Sequence, residues 1–198
     1  MGRSEPEGNH IEPNPNVPPS DGDETIDPVV RPSAYQALLL RYLGDQDPAG
    51  VQSQTPDVVA GLIDDAGDLL RARPAEGEWS VLELLGHFLD AEIVVSGRYR
   101  WILAHDGPPL VGYDQDEWVA RLRHNDDDPA EMLSVHRALR EANVSLWGRT
   151  SPEERQRVGI HAERGPESLD LSFRLVAGHD LFHIEQMNRT LQTVRGES

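Results

Sequence analysis

Cysteine is absent from this chain of 198 residues. Its absence excludes disulfide bonds and thiolate metal ligands. It also excludes a nucleophilic thiol supplied by the protein itself. Covalent cross-links therefore contribute nothing to this fold, and any metal site must use nitrogen and oxygen ligands.

Positive charge is scarce, and lysine is missing altogether. The 18 basic residues are all arginine and face 35 acidic residues, which gives a net charge of −17. A surface that binds a nucleic-acid duplex needs clustered cations, and no such cluster is visible. The same acidity argues against an anionic membrane surface. We therefore expect neither nucleic acid nor membrane as a partner.

Long apolar runs are also absent. No run reaches the roughly 18 residues that a membrane span requires, and no apolar signal segment follows a basic start. The hydrophobic content is 37% and the mean hydropathy is −0.54. A chain of this length can still bury one sizeable core. We expect a single folded domain in a cytoplasmic protein.

The first 32 residues differ in composition from the rest. They contain seven of the fifteen prolines and seven acidic residues against two arginines. Few apolar residues are present and no period appears, which is typical of disorder. The sequence predicts a disordered acidic, proline-rich tail at residues 1–32 and a folded domain at residues 33–198.

Four long amphipathic helices are predicted in the folded domain. They begin near Thr55-Pro56, Ser80, Asp128 and Ser168, and at the first three a residue suited to cap a helix is present. The signal is clearest at Ser80, where Glu83 completes a capping box. Shorter helical segments are expected at residues 33–43 and 117–122. No alternating segment predicts a strand, and residues 158–167 are expected to be irregular. The prediction is an all-α four-helix bundle with short additional helices.

Two histidines interrupt the apolar face of the last helix. His179 and His183 are four residues apart, so a helix places their Cβ atoms about 5–6 Å from each other. Their apolar neighbours recur at steps of three or four, at Val176, Met187 and Leu191. A buried polar group needs a partner, and one shared divalent ion would satisfy both imidazoles.

The second helix offers a third ligand. His87 follows Leu84 and precedes Ala91 on the same apolar face. Three histidines leave at least one position of a divalent ion open, as in catalytic sites. Zinc, nickel, iron and manganese all suit this ligand set. Bound histidines also need their second ring nitrogen held, and the candidates for this role, one turn away, are Glu83, Asp90 and Gln186.

Other interpretations of the histidines stay open at this point. Each could be a core residue hydrogen-bonded to a neighbour, and the pattern gives metal and core roughly equal weight. The motif His-Glu-x-x-His of zinc proteases fits poorly, because Asp180 replaces the glutamate. Arg98 continues the His87 face and could meet an anionic substrate group, although an ion-paired arginine is the more common case. Four further histidines are predicted to be structural: His105, His124, His136 and His161.

Several of these segments together resemble the DinB-like superfamily over residues 55–195. The similar segments are residues 79–83, residues 87–92, Gly112-Tyr113-Asp114 with Trp118, Gly165, and residues 178–183 with Gln186. The resemblance implies a four-helix bundle that holds a divalent metal by His87, His179 and His183, and frequent homodimers. It also implies kinship with bacillithiol and mycothiol S-transferases and with thiol-dependent isomerases.

The resemblance implies a reaction as well. A low-molecular-weight thiol, activated by the metal, would attack a small electrophilic substrate. A metal-dependent hydrolase, with water in place of the thiol, is an alternative. A non-catalytic metal-binding stress-response protein is another. We expect a transferase-type enzyme with a small-molecule substrate and a low-molecular-weight thiol as co-substrate.

Overall fold

A computed structural model describes residues 30–196 as a helical bundle with one small sheet. Four helices are long, three are short, and two 3-10 turns lie at Gly67–Leu69 and His124–Asp126. The long helices are α2 (Pro48–Ala66), α3 (Val81–Ala104), α5 (Pro129–Gly148) and α7 (Leu169–Arg195). The short ones are α1 (Pro32–Leu43), α4 (Gln115–Leu122) and α6 (Pro152–Arg155). The strands are β1 (Pro109–Leu110), β2 (Val158–His161) and β3 (Gly165–Ser168).

The long helices are arranged so that consecutive ones are not always neighbours. Helix α2 packs against α5 and α7, and α3 packs against the same two helices. The direct contact between α2 and α3 is small, so these two lie on one diagonal of the bundle and α5 and α7 on the other. Helix α1 lies along α7. The all-α bundle predicted from the sequence is confirmed.

Three of the four predicted helix starts are correct. Ser80 accepts a hydrogen bond from the Glu83 N–H, and the Glu83 carboxylate accepts one from the Ser80 N–H, which is the predicted capping box. Asp128 caps α5 and Ser168 caps α7 through their side-chain oxygens. In each case a side chain satisfies backbone N–H groups that have no partner within the helix.

The predicted start of α2 at Thr55 is wrong. The helix begins at Pro48, eight residues before Pro56, and is capped by Asp47, so that Pro56 lies inside it. Proline has no N–H to offer the carbonyl four residues back, which here belongs to Gln52. The guanidinium of Arg140 lies 3.4 Å from that carbonyl oxygen instead. A side chain distant in sequence thus compensates for the missing hydrogen bond, and the helix continues through the proline.

The prediction that no strand is present is also wrong. The sequence predicted an irregular segment at residues 158–167, but β2 and β3 form an antiparallel hairpin there. Strand β1 pairs with β2 in parallel. Strands of two to four residues are too short for an alternating pattern to distinguish them from a loop. The hairpin is positioned by the bundle, and it covers one end of α3 and α7.

Within residues 30–196 the core consists of three apolar clusters. The first lies between α2, α3, α5 and α7, the second between α1, α2 and α7, and the third between α3, α5, α7 and β1. The second requires a glycine. A Cβ atom on Gly178 would lie 2.0 Å from the carbonyl oxygen of Leu39, so only glycine lets α1 approach α7 this closely.

The predicted tail, residues 1–32, lies almost wholly outside the described residues and stays a prediction. Pro32 already belongs to α1. Within residues 30–196, no helix combines the length and the apolar character that crossing a membrane demands.

Candidate metal centre

Three histidines meet between α3 and α7, where the sequence predicted them. His87 lies in the second turn of α3, and His179 and His183 lie in the middle of α7. The Nε2 atom of His87 is 2.8 Å from that of His179 and 3.2 Å from that of His183. In the described part of the chain, these three form a group of ring nitrogens close enough to share one metal ion.

Burial keeps two of the three imidazoles, those of His87 and His183, uncharged. His87 and His183 are buried, at 1% and 3% exposure, whereas His179 is partly open to the cavity described below. Burial, followed by the proximity of the other histidines, lowers the pKa of His87 and of His183 well below the ordinary value. Neutral imidazoles carry a lone pair, and a lone pair is what a metal ion binds.

The orientation of His183 is fixed by Gln186. The Nδ1 atom of His183 lies 2.8 Å from the amide oxygen of Gln186, one turn along α7. Since that oxygen can only accept, Nδ1 must carry the hydrogen and the lone pair must be on Nε2. The lone pair therefore points towards the other two histidines. Gln186 thus contacts His183, one of the three predicted ligands.

The carboxylates of Glu83 and Asp90 form hydrogen bonds with groups other than the rings of the three histidines, which corrects their expected role. Glu83 pairs with Arg73 and closes the capping box at Ser80. Asp90 accepts a hydrogen bond from His124 at 2.8 Å. Their spacing from His87 is that of one helical turn, but a turn of spacing fixes only the helix face and not the partner that packs there.

The carboxylate beside His179 is that of Asp180. Its Oδ1 atom lies 3.8 Å from His179 Nδ1, which is beyond hydrogen-bond distance. Thr55 donates to Asp180 at 2.8 Å, and the guanidinium of Arg140 binds both carboxylate oxygens. Burial alone would raise the pKa of Asp180, but Arg140 holds it well below its usual range. The negative charge thus lies directly behind the metal-binding group.

Arg140 joins this carboxylate to a second one. Its Nε atom donates to Glu92 at 2.8 Å, and Asn143 donates to the other Glu92 oxygen at 2.6 Å. Arg140, Glu92 and Asp180 are all at most 2% exposed. This buried network, which connects α2, α3, α5 and α7, was missed from the sequence. Its signal was the series His136, Arg140 and Asn143, which places polar side chains on the inward face of α5.

A cavity opens from the histidines and runs between α3 and α7. It contains about 880 Å³ of empty space, including open solvent at its mouth. His87 and His179 lie at one end, and Arg98, His161 and Arg164 at the other.

The remaining histidines have separate roles. His105 is exposed at the end of α3, and His136 is buried among the core helices. His124 packs its ring where a Cβ atom of Gly86 would lie, and it bonds to Asp90 and Asp127. None of these three lies at the cavity. His161 does line the cavity, so the purely structural role expected from the sequence does not describe it fully.

The nitrogen ligands fit a divalent ion. Two imidazoles that bind a tetrahedral ion at 2.0–2.1 Å have nitrogens about 3.3 Å apart. The 3.2 Å separation of His87 and His183 is close to this value, and the 2.8 Å separation of His87 and His179 needs a small outward shift. The partly exposed ring of His179 has room for it on the cavity side. His87 Nδ1 is buried without a hydrogen-bond partner, so this ligand is held by packing alone.

The sequence model of the DinB superfamily matches residues 51–187, which include all three histidines. The chain belongs to this superfamily. The resemblance noted from the sequence is thereby confirmed.

Similar proteins agree with the membership. Two proteins of Oceanobacillus iheyensis, each named "Putative metal-dependent hydrolase", are 27% and 23% identical over 62% and 61% of this chain, and the matches cover 71% and 69% of their lengths. The solved structure of YfiT from Bacillus subtilis is described as a probable metal-dependent hydrolase with an unusual four-helix bundle topology. The structural alignment covers 76% of this chain and 87% of the YfiT chain, with a TM-score of 0.70 and 19% sequence identity, which shows a shared fold.

Proposed function

We propose that this protein is a metal-dependent enzyme that transfers a low-molecular-weight thiol to a small electrophilic molecule at the three-histidine group. The observation that carries the proposal is a metal-binding group that opens on a cavity and that, among residues 30–196, has no acidic side chain beside it on the cavity side. The proposal includes a cytoplasmic homodimer, which rests on composition and family resemblance alone.

The chain's own residues would hold the ion and shape the space around it. His87, His179 and His183 would bind it through Nε2, and Gln186 keeps the His183 lone pair directed at it. A divalent ion there would favour the deprotonated form of a thiol, or of water, near neutral pH. Asp180, behind His179, places negative charge where it offsets part of the positive charge of the ion.

The acidic residues of the cavity lie far from the histidines. Among residues 30–196, those that line it are Glu163 and Glu167, at the end formed by the hairpin. Asp180 is held by Arg140 on the side away from the cavity. Hydrolysis of an amide usually requires a group that carries a proton to the leaving nitrogen. Attack by a thiolate on an alkylating electrophile has no such requirement, so the arrangement supports thiol transfer.

Metal-dependent hydrolysis is the second candidate. It is supported by the names of the two Oceanobacillus relatives and of a Geobacillus kaustophilus protein that is 28% identical over 48% of this chain. An activated ester needs less help for its leaving group than an amide does, and it would suit a site without an acidic residue.

Metal content is the first experiment. We expect about one divalent ion per chain in tag-free protein, lost in His87→Ala and in His179→Ala. His105→Ala is the matched control, because this histidine is exposed and remote from the cavity. A folded chain without metal after incubation with zinc, nickel, iron and manganese would overturn the proposal.

Activity distinguishes the candidates. The metal-loaded protein is incubated with monochlorobimane and a panel of low-molecular-weight thiols, and separately with 4-nitrophenyl acetate without any thiol. Conjugation that needs a thiol, and that His179→Ala abolishes, supports thiol transfer. Ester turnover without a thiol, and no conjugation, supports hydrolysis instead. Bound metal with neither reaction, and a lower melting temperature in the histidine variants, would support a non-catalytic metal-binding protein.

A further inference from the structure

Arg98 is a buried cation at the end of the cavity opposite the histidines. It is 7% exposed, and one of its terminal nitrogens donates to the carbonyl oxygen of Val111 at 2.5 Å. No carboxylate in residues 30–196 forms an ion pair with it, and its Nε atom has no hydrogen-bond partner. The ion-paired arginine favoured from the sequence is therefore not observed. An unpaired buried charge is costly, so its presence calls for a partner.

His161 presents a second hydrogen-bond donor at the same place. The N–H of Glu163 donates to His161 Nδ1 at 3.2 Å. A neutral ring that accepts at Nδ1 carries its hydrogen on Nε2, and burial lowers the pKa of His161 to about 4, so the ring is neutral at pH 7. Its Nε2 atom is 3.3 Å from Arg98 Nη2. In this tautomer two donors thus lie side by side at this end of the cavity.

The nearby carboxylates are engaged or exposed. Glu167 is 2% exposed and accepts hydrogen bonds from Arg164 at 2.8 Å and from Ser172. Glu163 is exposed and makes no ion pair with Arg98. Because Arg164 and Ser172 engage Glu167 and the Glu163 carboxylate is exposed, Arg98 is left without a buried counter-charge. An incoming anion would accept from Arg98 and from His161 and would neutralise the buried guanidinium.

The wall between the two ends is largely apolar. His87 and Arg98 are eleven residues apart on the same face of α3, which corresponds to about 16 Å along the helix axis. The side chains that line the cavity between them, on α1, α3 and α7, are Leu39, Ala91, Val94, Val95, Leu175 and Val176. A ligand that reaches both ends must therefore be apolar in its middle part.

We infer that Arg98 and His161 bind the anionic end of a small amphipathic substrate, most simply a carboxylate, whose apolar middle lies along α3 and α7. The reactive group of the molecule then lies at the three histidines. Arginine suits a carboxylate because its planar fork donates two parallel hydrogen bonds. The assignment of the reactive end rests on the proposed function, whereas the anion site stands on its own contacts.

Binding to metal-free protein tests the anion site without catalysis. Octanoate and its neutral counterpart octanamide are titrated into chelator-treated full-length protein by calorimetry. We expect octanoate to bind at least tenfold more tightly than octanamide. Arg98→Gln should abolish this preference, and His161→Leu should reduce it. Arg174→Gln is the matched control, since Arg174 is an exposed arginine on α7, and it should leave both affinities unchanged.

Two results would overturn the inference: equal binding of octanoate and octanamide by the wild-type protein, or a preference for octanoate that survives in Arg98→Gln. Circular dichroism verifies that each variant is folded, and the preference in His161→Leu provides a second reading if Arg98→Gln does not fold. Because no metal is present, failure here leaves the metal centre untouched. Absence of a metal centre likewise leaves this binding test valid.

Discussion

Replacing Arg140 by methionine should destabilise the bundle strongly at pH 7 and much less at pH 5. The change leaves the carboxylates of Glu92 and Asp180 buried, at 1% and 0% exposure, without their cation. Removing one partner of a buried ion pair costs about 3–5 kcal/mol of unfolding free energy. For a chain of this size such a loss lowers the melting temperature by roughly 6–20 °C.

The pH dependence follows from proton uptake by the two carboxylates. Without Arg140, burial raises their pKa in the folded protein above the value of about 4 in the unfolded chain. The folded state then takes up protons as the pH falls, and the destabilisation decreases. Protonating one carboxylate costs about 2.7 kcal/mol less at pH 5 than at pH 7. We therefore expect the loss in Arg140→Met to decrease to roughly 1–2 kcal/mol at pH 5.

Urea unfolding of metal-free wild type and variant at both pH values measures this difference. Arg137→Met is the control, because Arg137 joins the same helices, α5 and α2, through an exposed pair with Asp57 at 2.7 Å. Exposed pairs contribute at most about 1 kcal/mol. A loss below 1 kcal/mol for Arg140→Met at pH 7, or an equal loss at both pH values, would show that the network is not an ion-paired centre of the fold.

Three further predictions concern single side chains. Gln186→Met should weaken metal binding about 10–100-fold and leave the fold intact, because His183 loses the acceptor that orients it. Metal titration measures the affinity, and an unchanged affinity would contradict this prediction. Burial lowers the pKa of His136 to about 3, so its contribution to stability is complete above pH 6.5 and declines by about 1.4 kcal/mol per unit as the pH falls below that value. His136→Gln should flatten this decline in urea titrations, and an unchanged slope would assign it to other groups. Gly178→Ala should cost about 1–3 kcal/mol or more, because its Cβ would meet the Leu39 carbonyl, whereas Gly148→Ala, with open space around it, should be nearly neutral.

The parts of the fold that depend on local chemistry could be predicted from the sequence. The capping box at Ser80 and the caps at Asp128 and Ser168 act within four residues of the helix start, and the apolar periodicity of α3 and α7 is local as well. The three histidines were found for the same reason, since helical spacing places His179 beside His183. The third ligand, His87, needed only the assumption that two apolar faces meet.

The parts that depend on distant partners could not be predicted in this way. Thr55-Pro56 has the composition of a helix start, and only Arg140, more than eighty residues away, shows why the helix continues through it. The spacing of Glu83 and Asp90 predicts a role at the metal, but their carboxylates bind Arg73 and His124, which lie in other segments. Helical spacing names the face of a side chain, whereas tertiary packing decides its partner.

Helix α1 lies before the region that the superfamily model matches, yet it forms part of the cavity wall through Tyr35, Gln36 and Leu39. Members of the superfamily can therefore share the same bundle and the same histidines and still admit different molecules. Substrate preference can diverge through a segment at the margin of the domain, at little cost to the bundle. A search for relatives with the same preference should align this first helix as well as the shared histidines.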